Sequence, residues 1–424
     1  MISKIQQYFS QSGLLRNSAT LIAGTILAQL LPILFQPLLR RMYGAEDFGT
    51  AALYITAVGM LVAIANLKYE SAIVLPEKDA QAKDLVSGGI IISAVLSFFI
   101  WLYIFLNEPF ILSYFKLDYT AAWYLHFLPL SVFLVSSFQC FNYYLIRKKA
   151  FKDSAKNKVY RRASEVASQT SGGILKLEGG LLFGNLVGDV VNFFGGFLQA
   201  QKVGFSFIFN FKSVFETLRI YLQFPIYHAV PSLLNTMSLT LPVFIVNHAF
   251  GREQTGQFDL SRMVLSLPMA LISIALSQVY LQHQAEKIRQ KLRISGDFKK
   301  VSRTLFALSV PFAVILFFFA SPLFAFVFGE DWALAGELTA VLIFGQTFKF
   351  IVSPLSSTLV ALQEVRFSAL WQVLYFSAIM WLYFQPGQTI QAFVWHYGLI
   401  DLVAYCLYFA LIYWRIQLYE KNRA

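Results

Sequence analysis

The sequence predicts an all-α polytopic membrane protein with about 12 transmembrane helices, and three observations predict it. Apolar residues make up 57% of the 424-residue chain and charged ones only 13%, with a mean hydropathy of +0.59. That lies well outside the composition of a water-soluble domain. Apolar runs of about 20 residues, the length an α-helix needs to cross ~30 Å of hydrocarbon, recur along the whole chain. The basic residues fall almost entirely in alternate connections between those runs, as expected of a chain that crosses a membrane repeatedly.

The opening MISKIQQYFSQSG has no compact apolar stretch and no small-residue cleavage site, so it reads as a short interfacial segment retained on the mature protein. Spans follow at 17–38, 49–67, 85–106, 121–145, 159–176 and 179–200, then at 221–249, 256–281, 304–328, 337–361, 367–385 and 391–414. The fifth is the most polar. Its RASEVASQTSGGILK ends in Gly172 and Gly173, and such a helix spans only if it faces protein or water. This order divides the chain into an N-terminal six-helix bundle over 1–200, a cytoplasmic linker over 201–220 and a C-terminal six-helix bundle over 221–424.

Connections after the odd-numbered spans hold only Arg40, Arg41, Lys116, Lys176 and Arg252 among basic residues. The other side holds RKKAFKDSAKNKVYRR at 147–162 and EKIRQKLRISGDFKKVSR at 286–303. The positive-inside rule makes that side, and both termini with it, cytoplasmic. The net charge of +11 is thereby mostly topology, with attraction to anionic lipid of the bilayer. Short basic loops without a binding fold around them do not point to nucleic acid. Cys140 and Cys406 both lie inside spans and build no disulfide framework, and the five histidines show no metal-ligand spacing. Neither a metal nor a cofactor is expected.

The chain repeats itself. LPILFQPLLRRMYGAEDFGTAAL at 31–53 aligns with LPVFIVNHAFGREQTGQFDL at 241–260 across a three-residue gap, matching Gly44 to Gly251, Glu46 to Glu253, Gly49 to Gly256 and Leu53 to Leu260. Parallel repeats of this kind are a recurrent plan of transporters that rock around a central site. Span 6 carries Gly180, Gly184 and Gly188 at spacing four, continued by Asn192 and Gly196, a small-residue stripe that lets a neighbouring helix approach closely.

NLKYESAIVLP (66–76), FGREQTGQFDLSRMVLSLPMALISIALSQVYLQ (250–282) and SPLSSTLVALQEVRF (353–367) occur in this order among the spans. In them the chain resembles the Wzx-type polysaccharide or O-antigen flippases, the polysaccharide transport family of the multidrug/oligosaccharidyl-lipid/polysaccharide exporter superfamily. The resemblance implies two six-helix bundles around a central cavity. It also implies the movement of an undecaprenyl-diphosphate-linked saccharide from the cytoplasmic to the periplasmic leaflet of the bacterial inner membrane, for O-antigen and lipopolysaccharide, capsule or exopolysaccharide synthesis. A polysaccharide polymerase and a chain-length regulator are the implied protein partners.

Charged residues within spans are the candidate site. A basic residue at a helix centre costs ~2.5–3.5 kcal/mol on insertion scales, so Arg262 and Lys349 should face a watery interior. One reading makes them cations for an anionic diphosphate, Arg by its planar fork and Lys as a mobile point charge. The other makes Arg262 a structural partner of Asp259 at i, i+3, with Lys349 satisfied by carbonyls. Arg40 and Arg41, at the periplasmic end of span 1, are weaker diphosphate candidates, because anchoring at the membrane surface explains them equally well. Asp189 and Asp401 near span centres, with Asp259, are candidates for coupling to H⁺ or Na⁺; helix-to-helix hydrogen bonding or a salt bridge from Asp401 to Lys349 is the alternative. Trp371, Tyr143 and Tyr144 could brace lipid or sugar. A membrane polymerase would need a substantial periplasmic loop bearing reactive groups, and the longest here, 107–120, has little chemistry. A cation-coupled multidrug exporter of the same superfamily is the nearer alternative; two basic residues within spans argue against it.

Overall fold

A computed structural model describes residues 13–117, 122–207 and 210–421; the expected interfacial segment before Gly13 lies outside them. The described residues form fourteen α-helices: α1 (Gly13–Met42), α2 (Ala45–Ala65), α3 (Asp79–Phe115), α4 (Ala122–Arg147), α5 (Phe151–Ile174), α6 (Gly180–Lys202), α7 (Phe211–Ile220), α8 (Val230–Phe250), α9 (Arg252–Arg289), α10 (Ser295–Phe328), α11 (Ala333–Leu355), α12 (Ser357–Ala361), α13 (Val365–Phe384) and α14 (Ile390–Lys421). Leaving aside the short α7 and α12, each helix overlaps one span read from the sequence. Nine helical segments among the described residues are long and apolar enough to cross a membrane. The other three expected spans fall on α1, α5 and α9, of which α5 is markedly polar.

Helix ends differ from the apolar boundaries for a simple reason. Helical hydrogen bonding continues past the hydrocarbon, so α9 runs for 38 residues and α3 for 37, the latter with a kink at Asn107 ahead of Pro109. The segment between α6 and α8 is not plain linker. It contains α7, whose Asn210 cap accepts from the backbone N–H groups of Lys212 and Ser213 at 3.2 and 3.3 Å. Ser213 and Thr217 on α7 donate to the buried Asp84 at 2.8 and 2.9 Å, fastening it to α3, while Phe211 and Phe215 point outward. An amphipathic helix so placed suits a membrane interface. A π-helical turn, Pro225–Ala229, leads into α8.

The helices assemble into two compact units. One takes the described residues up to Tyr43 together with Leu53–Thr236; the other takes Gly44–Ala52 and everything from Met237 onward. Within the first, the glycine stripe of α6 lies against α5. A Cβ added at Gly184 would stand 2.9 Å from the backbone nitrogen of Gln169, and one at Gly188 would stand 3.2 Å from the carbonyl oxygen of Arg161. Such an approach brings polar side chains within reach of each other. Asn157 donates to the carbonyl and side-chain oxygens of Asn192 at 2.9 Å each, and Gln169 donates to the Leu181 carbonyl at 3.2 Å. The hydroxyl of Tyr43 on α1 donates to the Gln169 carbonyl at 2.7 Å. The polarity that made the fifth span look doubtful is thus partly a buried hydrogen-bonded ladder.

In the second unit the sequence repeat becomes a reciprocal contact. A Cβ on Gly49 would fall 2.7 Å from the carbonyl carbon of Arg252, and one on Gly256 would fall 2.9 Å from that of Ala45. Gly49 matches Gly256 in the repeat, and by the same register Ala45 matches Arg252. Equivalent residues therefore touch in both directions, the signature of a local two-fold. Arg252 also pairs with Glu46 at 2.5 Å, and Phe48 meets Trp332 edge to face at 5.6 Å.

Candidate functional site

The charged residues that the sequence singles out separate between the two units. In the second unit, Asp401 on α14 is 1% exposed and lies against the close crossing of α14 with α11, where a Cβ on Gly345 would meet the Asp401 Cβ at 2.8 Å. Its carboxylate accepts a hydrogen bond from the Tyr375 hydroxyl at 2.6 Å and a long one from Gln346 at 3.5 Å. Tyr375 sits near the middle of α13 and is stacked on Trp371 one turn away, 5.1 Å between centroids at 5°. Trp371 stacks in turn on Tyr408 at 4.2 Å and 11°, and its indole nitrogen donates to the Ala404 carbonyl at 3.0 Å.

Lys349 stands over this aromatic floor, its ammonium 5.6 Å from the centroid of Tyr405. No direct ion pair joins it to Asp401 among the described residues, although both Lys349 and Arg262 are close enough for their charge to be felt by that carboxylate. The alternative of a Lys349–Asp401 salt bridge is therefore replaced by a ring-mediated arrangement: tyrosine supplies the carboxylate's hydrogen bond, and the ammonium lies on a π face. Arg262 lies 5.5 Å above the ring of Phe258 and donates to the backbone carbonyl of Leu239 on α8. Helix α9 begins at Arg252, four residues before the sequence boundary, which places Asp259 ~10 Å and Arg262 ~15 Å along the helix. Two cations, one carboxylate and a stack of aromatic rings thus converge from α9, α11, α13 and α14.

The first unit holds a different constellation. Asp189 on α6 is 4% exposed and forms an ion pair with Arg161 of α5 at 2.8 Å. The hydroxyl of Ser131 stands beside it, and Tyr54 donates to that serine at 2.9 Å. One turn further along α5, Glu165 accepts from Arg162 at 2.7 and 3.0 Å. Asp189 is therefore charge-neutralised by a partner on its packing helix. Arg40 and Arg41 also belong to this unit, but they diverge: Arg40 is buried, with its Nε donating to Gln36 at 3.1 Å, and Arg41 is exposed.

Sequence reasoning passed over Tyr375, Gln346 and Tyr405 in one unit and Arg161 and Glu165 in the other. A signal existed for the aromatic set. Trp371 and Tyr375 lie four apart, and Asp401, Tyr405 and Tyr408 follow at four and three, so each group occupies one helix face. That the two faces meet cannot be read from spacing.

Comparison with known proteins places this arrangement. The chain is similar in structure to a multidrug resistance MATE family transporter of the MOP superfamily in an inward-facing conformation, with a TM-score of 0.72 at 16% identity over 96% of each chain. It is similar to the lipid II flippase MurJ in an inward closed conformation, with a TM-score of 0.71 at 13% identity, covering 95% of this chain and 90% of that one. A MOP superfamily transporter from Pyrococcus furiosus gives 0.65 at 15%, covering 95% and 96%. At such identities the likeness shows the fold. Among curated sequences, the teichuronic acid biosynthesis protein TuaB of Bacillus subtilis (strain 168) is 19% identical over 205 residues, 48% of this chain and 41% of that protein. The chain thus matches less than half the length of that relative. A family model described as polysaccharide biosynthesis protein matches residues 38–336, well over half of the chain, and the chain belongs to that family.

Proposed function

We infer that this protein is a flippase that carries undecaprenyl-diphosphate-linked oligosaccharide units from the cytoplasmic to the periplasmic leaflet by alternating access of two six-helix bundles about a central cavity. The observation that carries the reading is the pair Arg262 and Lys349, held within long helices over aromatic rings in a chain of the polysaccharide biosynthesis family. A diphosphate must cross a layer of low dielectric, and cations along its route lower that barrier. In this reading the protein resides in the bacterial inner membrane with both termini in the cytoplasm. It supplies O-antigen, capsule or exopolysaccharide synthesis, next to a polymerase and a chain-length regulator. Arg41 on the rim is a minor anion contact, and the buried Arg40 a supporting one. Asp401 is the leading carboxylate for H⁺ or Na⁺ coupling, because its hydrogen-bond partners are a tyrosine and an amide, whereas Asp189 is matched by Arg161. Asp259 is the third.

The likeness to a multidrug transporter favours a second reading, cation-coupled export of drugs. A deletion strain decides between them. Lipid-linked repeat units accumulating on the cytoplasmic leaflet, with surface polysaccharide lost, is the expected result. Normal surface polysaccharide with heightened sensitivity to cationic drugs would establish the second reading instead. Unpolymerised units already in the periplasm would point to a polymerase.

A further inference from the structure

Of the 20 residues of α13, three are buried: Tyr375, Ile379 and Leu382. Along the rest of its length α13 frames, with α14, a groove of about 390 Å³. Trp371 and the buried Tyr375 form its floor, and the exposed Leu370 and Leu374 on α13 face Val403 and Leu407 on α14 across its rims. The polar atoms of the floor are already engaged, the Tyr375 hydroxyl by Asp401 and the Trp371 indole nitrogen by the Ala404 carbonyl. What remains is an apolar trough that a hydrocarbon chain fills better than water does. Its length is that of one leaflet. The α13 wall, Leu370 to Ala378, covers ~12 Å and the α14 wall, Leu399 to Leu411, ~18 Å, against ~15 Å for half the hydrocarbon layer. Leu370 and Leu411 mark one end, each three residues inside its expected span, 367–385 or 391–414. The positive-inside rule makes that end cytoplasmic.

Beyond that end both walls finish in an arginine. Arg366 precedes Leu370 by one turn of α13, and Arg415 follows Leu411 by one turn of α14, so each continues the face of its wall. The two guanidiniums are brought together. Their carbons lie 5.1 and 4.7 Å from the centroid of the same ring, Phe367, and Glu364 pairs with both, with Arg366 at 3.2 Å. Two cations against one carboxylate leave a net positive charge, and the Arg366 side chain is 77% exposed. An apolar trough one leaflet deep, with a cationic mouth at the level of the headgroups, complements a single membrane lipid. We propose that α13 and α14 hold one anionic phospholipid of the cytoplasmic leaflet, its phosphate on Arg366 and Arg415 and one acyl chain along Trp371 and Tyr375. The lipid is resident, not cargo. It supplies packing that α13 lacks from protein, and its chain rests on the ring whose hydroxyl holds Asp401. The site stands whatever the protein transports.

Native mass spectrometry of the full chain, extracted in mild detergent, tests the site. Wild type should retain one phospholipid per molecule. Val403→Trp fills the groove from its rim, and it should lower the retained fraction by about tenfold, the factor that ~1.4 kcal/mol of lost binding produces. Val314→Trp, on an exposed position of α10 outside the groove, should leave retention unchanged. If Val403→Trp does not accumulate, Leu407→Trp on the same exposed wall carries the test. Equal retention in wild type and the groove-filling variant would mean unspecific lipid only and would overturn the proposal, as would a retained mass matching a polyprenyl phosphate. The headgroup contact has its own readout. Phosphatidylglycerol added to delipidated wild type should raise the melting midpoint more than phosphatidylcholine does, and Arg366→Ala should abolish that difference. An equal response of wild type to both lipids would refute the cationic mouth.

Discussion

Replacing Gly49 by alanine puts a methyl group where the backbone of Arg252 already stands. Its Cβ would lie 2.7 Å from the Arg252 carbonyl carbon and closer still to the oxygen, whereas non-bonded carbons settle at about 3.5–4.0 Å. The first turns of α2 and α9 must therefore separate by about 1 Å, which stretches the Glu46–Arg252 pair and the Phe48–Trp332 contact behind it. Overpacking of this kind costs roughly 1–3 kcal/mol, and backbone against backbone belongs at the upper end. Alanine returns about 1 kcal/mol of helix propensity over glycine. The net loss is about 2 kcal/mol, a factor near 30 in the ratio of folded to unfolded protein. Gly256→Ala should behave alike, because its Cβ would stand 2.9 Å from the Ala45 carbonyl carbon in the reciprocal contact. One displacement relieves both clashes, so the double variant should melt no lower than either single one, a strong departure from additivity. Gly59→Ala on the same α2, with nothing within 4 Å of its added Cβ, is the control and should melt at or above wild type. Melting midpoints by fluorescence-detected size exclusion after a heat ramp in detergent measure all four. A Gly49→Ala midpoint equal to wild type, or midpoints that fall additively in the double variant, would refute the reasoning.

Arg262→Ala and Lys349→Ala should each strongly reduce surface polysaccharide at near-normal protein level, with Arg262→Lys retaining a part and Arg262→Gln nearly none, because a neutral amide cannot offset a phosphate charge. Full recovery in an Asp259→Asn, Arg262→Gln double variant would reduce Arg262 to a structural partner. Tyr375→Phe removes the short hydrogen bond to the buried Asp401 and should lower stability by about 1.5–3 kcal/mol, read as a drop in melting midpoint. Adding Asp401→Asn should recover part of that loss, and no recovery would mean that Tyr375 matters for its packing on Trp371 alone. Cysteines at Lys152 and Lys291 should resist an impermeant thiol reagent in intact cells, while one at Glu330 reacts; labelling of Lys152→Cys before permeabilisation would invert the topology. Gly184→Leu should abolish folded yield and even Gly184→Ala should lower it, since its Cβ would stand 2.9 Å from the Gln169 backbone nitrogen, and unchanged yield with leucine would contradict the α5–α6 packing.

By itself the sequence determined the helices, because hydrocarbon leaves the backbone no other way to satisfy its hydrogen bonds and the length of each apolar run is set by the thickness of the layer. Every span from 17–38 to 391–414 has its helix, the polar fifth included. It also marked Arg262, Lys349, Asp189 and Asp401, since a charge amid apolar residues is visible without coordinates. What it could not determine was the partner of each charge. Asp189 is matched by Arg161, 28 positions away, and Asp401 takes its hydrogen bond from Tyr375 instead of a salt bridge from Lys349, because α11, α13 and α14 meet at rotations that spacing within one helix does not specify. The repeat was legible as four matched residues. Only the tertiary structure turned Gly49 and Gly256 into a reciprocal crossing, as closeness of two backbones depends on the approach of helices about 200 residues apart in the chain. The polarity of α5 was likewise plain in sequence, but which of its polar residues are buried against α6 and which are left exposed is decided by the face that the glycines of α6 admit.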